Sequence, residues 1–225
     1  MKLIKYKILT LLFCIAYSSI LHSQINDFGL WTSIAVEKKI NKHFSININN
    51  DFRFNENLTE LGRINNDLGV EYKINKIFSF SLNYRLGNMR LLDDSYIARH
   101  RIFVDFKAKR KISKFDLSLR LRLQQQYLHN ELMAENIMPK TYLRPKLQIK
   151  YRDLIYLKPY LAYQIFIPLN IPERRIVDEH RIVLGLDYKI NKQHSFGIYA
   201  MYDKEFAKKK TYINNIIGIE YNFSF

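Results

Sequence analysis

Basic side chains that could bind anions recur at alternate positions of long segments in the second and third quarters of the chain. Arg99 and Arg101 lie in one such segment, Arg122 in the next, and Arg144 and Lys146 in a third. Guanidinium and ammonium groups bind carboxylates and phosphates, and rings of them give a pore its preference for anions. These five residues form the candidate basic cluster. It predicts either an anion site or a set of ion pairs that plugs an interior.

A second arrangement could support nucleophilic catalysis. His43-Phe44-Ser45 places an imidazole and a hydroxyl on the same face of an extended segment, as outer-membrane phospholipases do. The pair lies beside a short turn, and no Asn partner can be assigned to it. A lipid-modifying enzyme is therefore the alternative function, and no catalytic residue is predicted.

The residue types give little support for a lipid anchor, a metal site or a phosphate-binding loop. Cys14 is the single cysteine, and Phe13 before it disfavours a lipoprotein anchor because that processing needs a small residue. No His, Asp and Glu group has the spacing of a metal site, and no glycine-rich loop could hold a phosphate. The sequence predicts no metal site and no cofactor.

Apolar and polar residues alternate over long stretches. Between positions 115 and 124, the odd positions are Phe and Leu, whereas the even positions are Asp, Ser, Arg and Gln. The same alternation occupies 44–54 and 63–73. A period of two residues predicts β-strands with one apolar and one polar face. Apolar runs of about ten residues suit membrane strands, which need about 9–11, better than globular strands of roughly 5–6.

The predicted fold is all-β: a transmembrane antiparallel up-and-down β-barrel of about 10–12 strands, in a single domain covering residues 24–225. Its apolar face would contact lipid and its polar face would line the lumen. A soluble β-protein with a wet polar face is the alternative. The pattern marks eleven segments, but single-chain barrels usually have an even number, so ten or twelve is preferred. The segments are 28–37, 44–54, 63–73, 78–87, 98–109, 115–127, 142–151, 159–167, 179–189, 195–203 and 212–225. Pro145 predicts a bulge or break in the seventh.

An internal repeat marks one rim of this barrel. Ile-Asn-Lys recurs at 40–42, 74–76 and 190–192, and Ile-Ser-Lys at 112–114 is a degenerate copy. Each repeat holds two long strands, so the unit is one hairpin rather than a propeller blade. Short turns at the periplasmic rim and longer loops outside are expected. Aromatic residues would form a girdle at each rim, with Tyr142 in the outer one.

The hairpin at 112–113 also predicts cross-strand partners. Pairing of residues whose numbers sum to 225 would place Asp105 opposite Arg120, as an ion pair in the lumen, and Arg101 opposite Gln124.

The N-terminus predicts export. Lys2, Lys5 and Lys7 precede an apolar stretch that is too short to span a membrane, and polar residues close it at Ser23. Residues 1–23 are the predicted signal peptide, with cleavage after Ser23.

The C-terminus and two internal motifs resemble a known family. Tyr221, Phe223 and Phe225 alternate at the end of the chain, as in the assembly signal of outer-membrane barrels. From Asp27-Phe-Gly-Leu-Trp31 through the Ile-Asn-Lys turns, the chain resembles the family catalogued as domain of unknown function twenty-four-ninety. Its members are exported proteins of Gram-negative envelopes. The resemblance implies an outer-membrane barrel and brings no catalytic residues.

Charge indicates the partners. Lys and Arg total 36 against 21 Asp and Glu, so anionic neighbours are expected. Export argues against nucleic acid and favours outer-membrane lipids, lipopolysaccharide and, during biogenesis, the barrel-assembly machinery. The predicted function is a narrow channel or binding barrel for small anionic solutes. A phospholipase-like enzyme or a purely structural envelope protein is the alternative.

Overall fold

The computed structural model describes residues 24–129, 139–171, 176–206 and 211–225. The predicted signal peptide, with Cys14 and the cleavage after Ser23, lies outside the described residues. Within them, no helix is long and apolar enough to cross a membrane.

The described residues form eleven β-strands, each 11 to 17 residues long. Every segment marked by alternation is a strand, extended by a few residues at some ends. The strands are β1 (Gln24–Lys39), β2 (Phe44–Asn55), β3 (Glu60–Lys73), β4 (Phe78–Arg90), β5 (Tyr96–Ile112), β6 (Phe115–Leu128), β7 (Lys140–Tyr151), β8 (Leu157–Pro168), β9 (Glu179–Lys189), β10 (His194–Phe206) and β11 (Thr211–Ser224).

The strands close into one barrel, in which each strand pairs antiparallel with its neighbour along the chain. The exception is the seam, where β1 and β11 pair parallel from Gln24↔Thr211 to Glu37↔Ser224. An odd meander brings its first and last strands together in the same direction, so only a parallel pair can close it. Eleven strands confirm the predicted range of about 10–12, whereas the preference for an even number was wrong, and β1 is a full wall strand.

Asparagine side chains close three of the turns at one end of the barrel. The Oδ1 atoms of Asn41, Asn75 and Asn191 each accept hydrogen bonds from the backbone N–H groups two and three residues ahead, all at 2.8 Å. An Asn that bonds its own backbone in this way stabilises a tight turn. The Ile-Asn-Lys repeats are thus hairpin turns. We call this end the turn rim; its connections are 40–43, 74–77, 113–114, 152–156 and 190–193.

The connections at the opposite end, which we call the loop rim, are shorter than the sequence predicted. Its connections are 56–59, 91–95, 129–139, 169–178 and 207–210. Only 129–139 and 169–178 are longer than the turns, because β2, β3, β4 and β5 extend into the segments expected to be loops.

The two faces of the wall differ in polarity as alternation predicted. Ile48, Leu68 and Leu82 are about half exposed on the outside. Inward-facing Asn65, Asp105 and Gln124 are buried at 1%, 3% and 3% exposure. The interior is consequently mainly polar and charged, with a few buried apolar side chains such as Phe103 and Phe166, and most apolar side chains cover the exterior.

Pro145 leaves β7 in register. The pairs Leu143↔Ile167 and Lys146↔Gln164 keep the same offset on either side of it, and Leu121↔Pro145 is retained on the other edge. No bulge is present, but the predicted break occurs on one edge: the pairing with β8 is interrupted at residues 144 and 145, where proline has no N–H to donate.

Candidate functional site: an arginine-lined lumen

A cavity of about 440 Å³ occupies the loop-rim half of the lumen. Nine arginines and two lysines line it, against five carboxylates. The basic residues are Arg53, Arg63, Arg85, Arg99, Arg101, Arg120, Arg122, Lys140, Arg144, Lys146 and Arg181; the acidic ones are Asp27, Asp178, Glu179, Asp203 and Glu205. We call it the outer cavity.

The candidate basic cluster lies on the wall of the outer cavity, since all five of its residues contribute to the lining. β6 and β7 bring three of them together. Arg122 is directly opposite Arg144, and Arg120 is directly opposite Lys146 one inward-facing pair further toward the turn rim.

The predicted partner of Asp105 was wrong. Arg122, not Arg120, lies opposite Asp105, and its Nε and Nη2 donate to the two carboxylate oxygens at 2.7 and 2.8 Å. The turn between β5 and β6 contains only Ser113 and Lys114, so Ile112 pairs with Phe115 and the register moves by two residues. Arg101 consequently faces Gln126 instead of Gln124.

Several lumen arginines are neutralised by carboxylates. Arg53 pairs with Asp51 at 2.7 Å and Arg85 with Asp67 at 2.5 Å. Arg181 lies between Glu179 and Asp203 at 2.6 and 3.1 Å. These bonds are charge-assisted and bidentate in part, so they fix the side chains and remove most of their net charge.

Other arginines are held by neutral amides. Arg101 donates to Gln126 at 2.8 Å, and Arg144 donates to Gln124 at 2.7 Å. Gln164, with its amide oxygen toward the cavity, accepts from both Arg120 and Arg144 at 3.0 and 3.1 Å. An amide oxygen orients a guanidinium without cancelling its charge. Among the described residues, no carboxylate lies within 4.0 Å of these five arginines: Arg63, Arg99, Arg101, Arg120 and Arg144.

Aromatic rings on the inner face also position guanidinium groups. Arg53 lies 3.7 Å from the ring centroid of Trp31, Arg122 lies 3.8 Å from that of Phe103, and Arg144 lies 3.9 Å from that of Phe166. Such cation–π contacts hold a cation in place without neutralising it.

The sequence prediction missed these rings because it assigned aromatic residues to the lipid face. Their positions in the alternating pattern could have revealed them. Phe103 is two residues from both Arg101 and Asp105, so its side chain lies on the same face of the strand. Tyr142 shows the same error: it was expected in the outer girdle, but it is buried and lines the outer cavity, two residues from Arg144.

A second cavity, of about 450 Å³, lies at the turn-rim end of the barrel, where inward-facing residues of β3 to β7 line it together with the 75–78 turn and Leu119. We call it the inner cavity. Glu71 is its one acidic lining residue, against Lys73, Lys76, Lys107, Lys109, Arg120 and Lys146. Arg120 and Lys146 line both cavities.

Comparison with known proteins identifies the family. The chain matches the family described as protein of unknown function (DUF2490) over residues 28–214. It belongs to this family. No curated protein matches it. Among solved structures, the DUF2490 chain is similar to the β domain of the Bordetella autotransporter Brka. The two are 13% identical, the match covers 81% of this chain and 82% of that one, and the TM-score is 0.48.

His43 and Ser45 have different surroundings in this DUF2490 barrel, since His43 is exposed at the turn rim and Ser45 is not. The Nδ1 atom of His43 lies 2.9 Å from the backbone oxygen of Lys73, and Ser45 is buried on the inner face. No hydrogen bond joins the two side chains. Within the described ranges, no group of three or more His, Cys, Asp or Glu could hold a metal ion.

The predicted assembly signal lies at the seam. Phe225 donates its N–H to the backbone oxygen of Glu37 at 3.0 Å and accepts from the N–H of Lys39 at 2.8 Å. Its ring stacks on Phe223 at 5.1 Å, and the Tyr221 hydroxyl lies 2.5 Å from Nδ1 of His194. The terminal aromatic residues therefore tie β11 to both of its neighbours.

Proposed function

We propose that this chain is an outer-membrane barrel whose outer cavity binds small anionic solutes. The inverted polarity of the wall supports the membrane location. A soluble barrel buries apolar side chains inside, whereas this one places them outside and fills its interior with charge. An apolar surrounding such as a lipid bilayer would stabilise that arrangement. The turn rim would face the periplasm, and lipids and lipopolysaccharide would contact the exterior.

The observation that carries the binding proposal is the way Arg101, Arg120 and Arg144 are held. Arg101 and Arg144 are buried in the lumen and Arg120 is partly buried, yet the side-chain acceptors of all three are glutamine oxygens. The Nε atoms of Arg101 and Arg120 have no hydrogen-bond partner among the described residues. Buried donors without partners are costly, and a bound anion would satisfy them.

The shape of the donor groups narrows the ligand class. Guanidinium groups bind carboxylate and phosphate oxygens in pairs, and the aromatic contacts keep their planes fixed. A cavity of about 440 Å³ suits a small phosphorylated or carboxylated solute. We propose binding without catalysis, because no nucleophile and base are joined among the described residues.

Binding is tested by calorimetry on the protein refolded in detergent, with inorganic phosphate and a small dicarboxylate as probes. Arg101→Gln and Arg144→Gln should each weaken binding about tenfold to a hundredfold, since a hydrogen bond to a charged group contributes roughly 1.5–3 kcal/mol. Arg110→Gln is the matched control, because Arg110 is exposed on the exterior of β5.

Two outcomes would contradict the proposal. Equal binding by Arg110→Gln and Arg144→Gln proteins would show that the lumen arginines do not form the site. Recovery of the exported protein in the periplasmic fraction, without heat-dependent mobility in detergent gels, would exclude the membrane location.

A further inference from the structure

The two cavities meet at one pair of basic residues. Arg120 on β6 and Lys146 on β7 are directly opposite each other and line both the outer and the inner cavity. Neither has a carboxylate within 4.0 Å among the described residues, although Glu220 also faces this part of the lumen. An anion leaving the outer cavity toward the turn rim would therefore pass two cationic groups that are not neutralised.

Two tyrosines lie along the wall beside this pair: Tyr160 on β8, the strand that pairs with β7, and Tyr199 on β10, three strands from β7. Tyr199 on β10 lies as far from the turn rim as Arg120 and Lys146, since each is five residues from that end of its strand. The Tyr199 ring lies against the backbone of its partner Gly218, where an added Cβ would come within 1.9 Å of Cζ.

Tyr160 lies against Gly185 in the same way, at 2.4 Å from an added Cβ. Only glycine permits so close an approach, so both rings can lie along the wall instead of crossing the lumen.

The inner cavity would hold an anion more weakly than the outer one. Its Lys107 contacts Glu71 at 2.6 Å and Lys109 contacts Asp116 at 3.5 Å, with the lysine side chains 40% and 56% exposed. Partly neutralised, solvated ammonium groups attract anions less than desolvated guanidinium groups do. Anion affinity is therefore expected to decline toward the turn rim.

We infer that the two cavities form one conduit for small anions, with Arg120 and Lys146 at its constriction and with Tyr199 and Tyr160 held aside by Gly218 and Gly185. The inference rests on the proposed anion binding and extends it to the passage of anions through the lumen, from the loop rim to the turn rim. Conduction requires sites that attract an ion without retaining it, and the decline from guanidinium to ammonium sites meets that requirement.

The first part of the test measures ion selectivity, as conductance in planar bilayers under a KCl gradient. The unmodified protein should conduct with the reversal potential of an anion-selective pore. The double variant Arg120→Gln/Lys146→Gln should lower the chloride-to-potassium permeability ratio at least severalfold, and Lys146→Gln alone should lower it part of the way. Arg110→Gln and Lys192→Gln, on the exterior and in a turn, control for total charge.

The steric arm uses the glycine and tyrosine pair. Gly218→Ala should push the Tyr199 ring into the lumen and reduce conductance severalfold, and Gly218→Ala/Tyr199→Ala should restore it. Each variant is first checked for heat-dependent gel mobility. Conductance unchanged by Gly218→Ala, or selectivity unchanged by the double charge variant, would overturn the conduit.

Calorimetry with phosphate separates this inference from the function on which it rests. A protein that binds phosphate but does not conduct has a closed cavity, which overturns the conduit alone. A protein that does not bind phosphate overturns the proposed binding function.

Discussion

Arg122 and Arg144 lie directly opposite each other on adjacent strands, yet only Arg122 is neutralised by a carboxylate. Like charges at opposed positions of a sheet destabilise it. Asp105 offsets this repulsion on one side, while Phe166 and Gln124 hold Arg144 on the other and leave its charge available. The arrangement favours ligand binding over stability of the empty barrel.

Asp105→Asn should separate these two properties. Removing one partner of a buried pair costs roughly 3–5 kcal/mol, so the free energy of unfolding in detergent should fall by about that amount. Phosphate should bind more tightly, because Arg122 becomes available. Asp153→Asn is the control: Asp153 pairs with Lys114 at 2.5 Å in exposed turns, and its loss should change neither quantity. Weaker phosphate binding by Asp105→Asn would contradict this interpretation.

Gln124→Glu should close the anion site. A carboxylate at this position would neutralise Arg144 and compete with the ligand for the same guanidinium. We expect phosphate affinity to fall at least about tenfold while stability is kept or increased. Gln193→Glu, in the exposed turn between β9 and β10, adds the same charge elsewhere and should leave affinity unchanged. Equal effects of the two substitutions would mean that net charge, rather than Arg144, governs binding.

Trp31 should report ligand binding by its fluorescence. It is the single tryptophan, it lines the outer cavity, and Arg53 and Arg181 lie 3.7 and 5.2 Å from its ring centroid. An anion that draws either guanidinium away changes the electric field at the indole ring. Phosphate should therefore shift the tryptophan emission, and the dissociation constant from this shift should equal the one found by calorimetry. A saturable shift that survives in the Arg144→Gln protein at unchanged affinity would show that the signal comes from elsewhere.

Removal of Phe225 should impair barrel closure. The residue supplies two backbone hydrogen bonds to β1 and the stacking contact with Phe223. We expect a lower assembled fraction, measured as the heat-modifiable band in outer membranes from cells that export the protein. Ser224→Ala removes a hydroxyl that has no partner among the described residues and should assemble normally. Normal assembly of the truncated chain would exclude a role for its last residue.

The strands were predictable because alternation is a local property. Residues 115–124 alternate without interruption, and the Asn41, Asn75 and Asn191 turns carry their own stabilising side chain. Strand number was misjudged for a different reason. The pattern marked eleven segments, and a general preference for even barrels outweighed it, although nothing local forbids a parallel seam.

The site was predictable only in part, because register and side-chain partners depend on long-range packing. The alternation placed Arg101 and Arg144 in the lumen, but the turn lies at 113–114, one residue later than predicted, and Asp105 therefore pairs with Arg122. Phe103 and Phe166 were missed because an aromatic residue at a lumen position violates the simple rule of polar interior and apolar exterior. Their role becomes visible only beside the guanidinium groups that they hold.

The parallel seam also constrains the order of folding. Gln24 and Thr211 are neighbours across it but lie 187 residues apart along the chain, whereas every other strand pair is a local hairpin. Closing so long a loop carries the largest entropic cost of any pairing in the barrel. Hairpins can form early, but the outer cavity needs Trp31 from one side of the seam and Ile216 from the other. The anion site is therefore complete only after the last pairing, and an anion that binds there would select the closed barrel over the open sheet.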